Sequence, residues 1–124
     1  MAENELQIKV VEKNGNTYHN LDLRDMGDGD SIIVEKLYEG GIKMPDRYEG
    51  QESYAIKAEY NGEKVSFFLN DIERNGFVVS SAYTDFKECG GIGSKVRIST
   101  KKEIYKDKKG TDRVKTTFSF EEVE

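Results

Sequence analysis

Apolar residues in this chain recur mostly at every second position, the spacing of extended strands with one face covered. From Gln51 to Tyr60, Tyr54, Ile56, Ala58 and Tyr60 fall on one side, and Ser53, Lys57 and Glu59 on the other. Asn61-Gly62 is the favoured two-residue hairpin turn. It leads into Lys64–Leu69, where Val65, Phe67 and Leu69 share a face and Phe68 lies opposite, beside Lys64 and Ser66. Leu6 to Glu12 reads as a strand, Asn14-Gly15-Asn16 as a turn, and Thr17 to Leu23 as its returning partner. Met26 to Asp30 forms a turn that launches Ser31–Tyr38, and residues 39–50, with Gly40-Gly41 and Pro45, form a loop.

The final two strands have the clearest phase. Val96, Ile98 and Thr100 point one way, joined by Ile104 and, on the returning strand, by Val114, Thr116, Phe118 and Phe120. Burying that row turns Lys95, Arg97, Ser99, Lys101, Tyr105, Arg113, Lys115, Thr117 and Ser119 outward. One segment departs from this period. Asn70-Asp71-Ile72-Glu73 has the spacing of a helix capping box, which predicts helical or mixed structure over Phe77–Glu88. Asn75-Gly76 would be a break in it, and Cys89-Gly90-Gly91-Ile92-Gly93 would lead to the next strand. The expected fold class is all-β with a small α content, in one domain over residues 1–124. Residues 1–23 form an N-terminal extension.

Charge changes this picture by its distribution. The chain has 35% apolar and 35% charged residues and a net charge of −5. Between Lys95 and Lys115, nine Lys and Arg side chains face three carboxylates, so this segment carries +6 and the remainder −11. A basic hairpin of this kind either balances an acidic body or forms a surface for an anionic partner.

No run approaches the roughly 18 apolar residues of a membrane span, which argues against a membrane partner. The acidic Met1–Glu5 start lacks the layout of a signal peptide. Cys89, alone, has no intramolecular disulfide partner, which favours a reducing, cytoplasmic setting, nucleoid-associated for a DNA binder.

Enzyme chemistry finds little purchase, and no cofactor is expected. His19 is the only histidine, and Cys89 has no identifiable histidine partner. Zinc would lack ligands. Gly27-Asp28-Gly29-Asp30 lacks the alternating oxygens and distant glutamate of an EF-hand loop, and the glycines at 90–93 lack the spacing of a phosphate loop.

From about Leu23 to Val123 the order is strand, long loop, strand, tight turn, strand, helical connection, strand, basic loop, strand. That order resembles the OB-fold, a five-stranded Greek-key barrel with a helix between its third and fourth strands. Gly27–Val34 is similar to the lead-in of a first OB strand and Gly93–Ile98 to that of a fourth. Residues 24–124 would form the barrel. Within that fold the chain looks most like single-stranded-DNA-binding proteins of the archaeal and phage replication-protein-A type. This implies non-enzymatic binding of single-stranded DNA in replication or repair, with little sequence preference.

Such binding combines cations along the phosphates with flat side chains under the bases. Carried onto this chain, the resemblance implies Lys57 on strand two and Phe68 on strand three, with Arg47 and Tyr48 from the first loop. The last hairpin would contribute Arg97, Lys101, Lys102, Tyr105, Lys106, Lys108, Lys109, Arg113 and Lys115. Phe68 is either a stacking platform or one of two buried rings beneath the helix or the N-terminal hairpin. Tyr105 either stacks or covers neighbouring aliphatic surface. RNA binding, and docking of an acidic protein partner on an OB-type module, remain alternatives. Glu121-Glu122-Val123-Glu124 is too short for a dedicated recruitment tail.

Overall fold

A computed structural model describes residues 6–38, 41–45 and 50–124. These contain nine strands: β1 (Ile8–Lys13), β2 (Asn16–Leu21), β3 (Ser31–Lys36), β4 (Ile42–Met44), β5 (Gln51–Tyr60), β6 (Glu63–Arg74), β7 (Phe77–Ser81), β8 (Lys95–Lys106) and β9 (Asp112–Val123). A short 3-10 turn covers Leu23–Asp25, and one helix, α1, covers Ala82–Glu88. The protein is therefore mostly β, as its alternation predicts, but with nine described strands rather than five.

The strands form one sheet in the order β1-β2-β6-β5-β3-β8-β9, with β4 attached to β5 and β7 to β6. Every ladder is antiparallel except the β2–β6 bridge at Asn20 and Ser66. Three Asn-Gly pairs make the tight turns: Asn14-Gly15, Asn61-Gly62 and Asn75-Gly76 all have positive φ at both residues. That conformation matches the twist of the strands it joins.

The third of these turns corrects the sequence reading. Asn70–Glu73 does not begin a helix. It continues β6, because β5 extends far enough to pair Gln51 with Ile72 and Ser53 with Asn70. The chain then reverses at Asn75-Gly76, and residues 77–81 return as β7. Only Ala82–Glu88 is helical. Its N-terminal end is satisfied from a distance, since Asp71 on β6 accepts from the Thr84 backbone N–H at 3.1 Å and from its hydroxyl at 2.5 Å.

The core lies on the inward face of the curled sheet. Ile32, Val34, Ile56, Ala58, Val65, Phe67, Leu69, Val96 and Ile98 are buried there, with Leu21, Leu23 and Met26 from the N-terminal part. The β1–β2 hairpin thus feeds residues directly into the core region, and the Leu6 N–H donates to the Tyr60 hydroxyl at 2.8 Å. Phe86 of α1 meets Phe67 of β6 and Phe120 of β9 edge-on, with centroids 5.6 and 5.5 Å away.

One cation sits inside this structure. Lys36, at the end of β3, is 1% exposed and shares the inward phase of Ile32 and Val34. Its ammonium donates to the carbonyls of Phe86, Lys87 (3.2 Å) and Gly90 (3.1 Å) and lies 4.6 Å from the centre of the Phe86 ring. It therefore meets the negative end of α1, where backbone carbonyls have run out of helical donors.

The two glycine-rich turns are held by backbone hydrogen bonds. The Gly27 N–H donates to the Asp30 carboxylate at 2.7 Å, and the Lys102 N–H donates to the Asp28 carboxylate at 2.8 Å. After α1, the Gly93 N–H donates to the Lys36 carbonyl, holding the glycine cluster against β3.

Candidate nucleic-acid interface

Adjacent side chains on a strand point to opposite faces, and Phe67-Phe68 obeys this rule. Phe67 is completely buried, whereas Phe68 stays 52% exposed on the outward face of β6. The arrangement that buries both rings is not adopted. Directly across from Phe68 is Ala55 on β5, and across from Ala55 is Ile42 on β4. Facing pairs of this kind bring side chains about 5 Å apart, so the three form one row across three strands. In the next row Lys57 faces Ser66 and donates to its hydroxyl at 2.7 Å, which holds the ammonium beside the aromatic ring's row. Ile42, 56% exposed, was not legible as part of this surface. A three-residue strand between glycines and a proline is too short to show an alternation.

The basic hairpin is built on twelve facing pairs, from Lys95–Val123 to Lys106–Asp112. Its two halves differ. In the near half, Val96, Ile98 and Thr100 are buried, and Phe118 and Phe120 pack against the core. In the far half the strands project past the core. Ile104 and its facing partner Val114 are 76% and 61% exposed, so the expectation that Val114 joins the buried row is wrong. Alternation gives the phase of a strand but not whether anything lies opposite it.

Tyr105 pairs with Arg113, and Lys115 with Glu103, on the same outward face as Lys101 and Arg97. Lys102 and Lys106 take the other phase, alongside Ile104. Four of these cations have carboxylate partners: Arg97 with Glu121 (3.6 Å), Lys101 with Glu103 (2.9 Å), Lys106 with Asp112 (3.3 Å) and Arg113 with Asp107 (3.1 Å). Hydrogen bonding to Glu103 pushes the Lys101 ammonium pKa up, and the same bond pulls the Glu103 carboxyl down. Asp107 orders the tip of the hairpin: it accepts from the Thr111 and Lys109 N–H groups and from Arg113, and its carboxyl is held below the ordinary range by the Thr111 bond first and Arg113 second. Lys102, Lys108, Lys109 and Lys115 make no ion pair among the described residues. Exposed pairs such as these are worth about 0–1 kcal/mol, so a phosphate can exchange for the carboxylate at little cost.

Phe68 and the hairpin are not in one row. β5 and β3 stand between β6 and β8 in the sheet. Arg47 and Tyr48 lie outside the described residues. His19 pairs across β1–β2 with Val10, and Cys89 is half-buried after α1. No cluster of three or more metal-ligating side chains occurs among the described residues, and no described helix is long and apolar enough to cross a membrane. An open cleft of about 1220 Å3 runs between the start of β5, the β6–β7 hairpin and the start of α1. Glu52, Asp71 and Glu73, in the phase opposite to Phe68, line it together with Arg74, so the cleft is net acidic.

Comparison of the chain with protein-family models, with curated proteins and with solved structures gives no match.

Proposed function

We propose that this chain binds single-stranded nucleic acid without catalysing a reaction, preferring DNA and showing little sequence preference. Bases would stack on Phe68, and phosphates would be drawn by Lys57 and by the lysines of the β8–β9 hairpin. The observation that carries the reading is the exposed Phe68 ring on an outward face beside Lys57, while its neighbour Phe67 is fully buried. The exposed ring is free to stack, and base stacking on an aromatic ring is worth about 1–3 kcal/mol per base.

The proposal includes an OB-type barrel made of β3, β5, β6, β8 and β9. Its support is the pairing path β6-β5-β3-β8-β9 with α1 between β6 and β8. Closing that path requires β6 to meet β9, and the Phe67–Phe86–Phe120 contacts bridge those two strands through α1. A partly open barrel is within the range of that architecture.

Fluorescence anisotropy with labelled single-stranded DNA, RNA and duplex across a salt series tests the reading. Single-stranded DNA should bind best, with affinity falling steeply as salt rises. Phe68→Ala should weaken binding at least about fivefold, the factor for about 1 kcal/mol of stacking, with little change in salt slope. Absence of binding at low salt, or a clear preference for duplex, refutes it. The unpaired lysines at the hairpin tip equally suit docking of an acidic protein; that reading expects a partner retained after nuclease treatment.

A further inference from the structure

The outward face that carries Phe68 continues along β6 through Asn70, Ile72 and Arg74, at every second residue. At its far end the β6–β7 ladder is irregular. Ile72 faces Ser80, but Glu73 faces Val78 and Arg74 faces Phe77, because Val79 is bulged out of the pairing. The two-residue Asn75-Gly76 turn sets Phe77 opposite Arg74 and so places its ring on the Phe68 face. Beyond that pair the bulge brings Ser80, rather than Val79, opposite Ile72. Phe77 is 75% exposed, more than Phe68.

Charge is sorted between the two faces in the same region. The outward positions of β5 and β6 include Lys57, Lys64 and Arg74, and their one carboxylate, Glu59, faces Lys64. Glu52, Asp71 and Glu73 take the opposite phase. Along the roughly 20 Å between Phe68 and Arg74, at about 3.3 Å per residue, the outward side chains of these strands are neutral hydrogen-bonding or apolar groups. An acidic chain with 24 carboxylates has kept this strip free of them.

We infer that Phe77 and Arg74 form a second nucleic-acid contact, so that the bound single strand runs lengthwise along β6 from Phe68 to the β6–β7 hairpin. Phe77 supplies a stacking surface and Arg74 a phosphate contact or a guanidinium stacked on a base. This rests on the reading that the chain binds single-stranded nucleic acid through Phe68, and it adds a direction and a minimum length to that binding. Two contacts so far apart cannot both be reached by the shortest ligands.

Oligonucleotide length separates the two claims. Labelled thymidine tetramer and dodecamer, spanning most of the 4–16 nucleotide range of such sites, would be titrated by anisotropy at low salt. Phe68→Ala should weaken both. Phe77→Ala, Phe77→Leu and Arg74→Gln should leave the tetramer within twofold of the wild type and weaken the dodecamer at least about fivefold. Only Arg74→Gln should also reduce the salt slope. These side chains are exposed, so circular dichroism and thermal melting should be unchanged. If Phe77→Ala binds the dodecamer like wild type while Phe68→Ala does not, the second contact is refuted and the function stands. If the wild type binds neither oligonucleotide, both fall. If Phe77→Ala alters only the sedimentation of the free protein, the β7 edge serves self-association and the inference is overturned.

Discussion

Replacing Lys36 by methionine isolates the contribution of a single buried charge. Methionine keeps the unbranched stem and removes the ammonium. Three carbonyls of the α1 terminus then lose that donor; the Phe86 oxygen keeps a bond from the Cys89 N–H at 3.2 Å, so the main loss falls on Lys87 and Gly90. Leaving these two part-buried acceptors unmet costs about 1 kcal/mol each, the low end of the range for a buried group, and loss of a favourable cation at a helix C-terminus about 0.3–1 kcal/mol. Against this, the variant no longer has to dehydrate an ammonium, a cost of several kcal/mol that favourable geometry has already offset in the wild type. A net destabilisation of about 2–3 kcal/mol follows. For 124 residues, at about 2.1 cal/mol/K per residue, 1 kcal/mol corresponds to about 4 °C, so Tm should fall by about 8–12 °C. Thermal melting followed by circular dichroism, with urea unfolding as a second measure, reads this directly. A Lys36→Met variant as stable as the wild type, or more so, would show that dehydration outweighs the capping contacts.

Two further substitutions probe the hairpin and the N-terminal turn. Val114→Thr should change stability by less than about 0.5 kcal/mol in urea unfolding, because the site is solvated, whereas a buried-row valine would lose more on gaining a hydroxyl. At Asp22, hydrogen bonds from Arg24 lead the causes that pull the carboxyl from 3.8 to about 2. A depressed acid stabilises the fold above its unfolded pKa, and this contribution is lost as pH falls through the folded one. Asp22→Asn should therefore cost about 1 kcal/mol above pH 4, allowing for the exposed guanidinium partner, and the difference from wild type should shrink as pH falls through about 2 and vanish below it.

Much of the sheet was legible because its information is local. Alternation placed Phe67 inward and Phe68 outward, and Asn-Gly marked two of the three tight hairpins. The third Asn-Gly was misread because a capping-box pattern preceded it, and what keeps Asn70–Glu73 extended is the distant segment Gln51–Ser53. The same misreading hid Phe77, whose face follows from the Asn75-Gly76 turn that sets it opposite Arg74. Lys36 shared the phase of Ile32 and Val34, but its partners lie 50 residues or more away and could not be read beside it.

The β3–β8 ladder joins Ser31–Glu35 to Lys95–Ser99, with partners 60 to 68 residues apart, whereas most other ladders join segments a turn apart. Hairpins of the local kind form in about 1–10 μs, but closing so long a loop must precede any reward from this ladder. Folding speed is therefore set less by the long basic hairpin than by the meeting of β3 with β8. Lys36, one residue beyond the last pair, can grip the end of α1 only once that meeting has occurred.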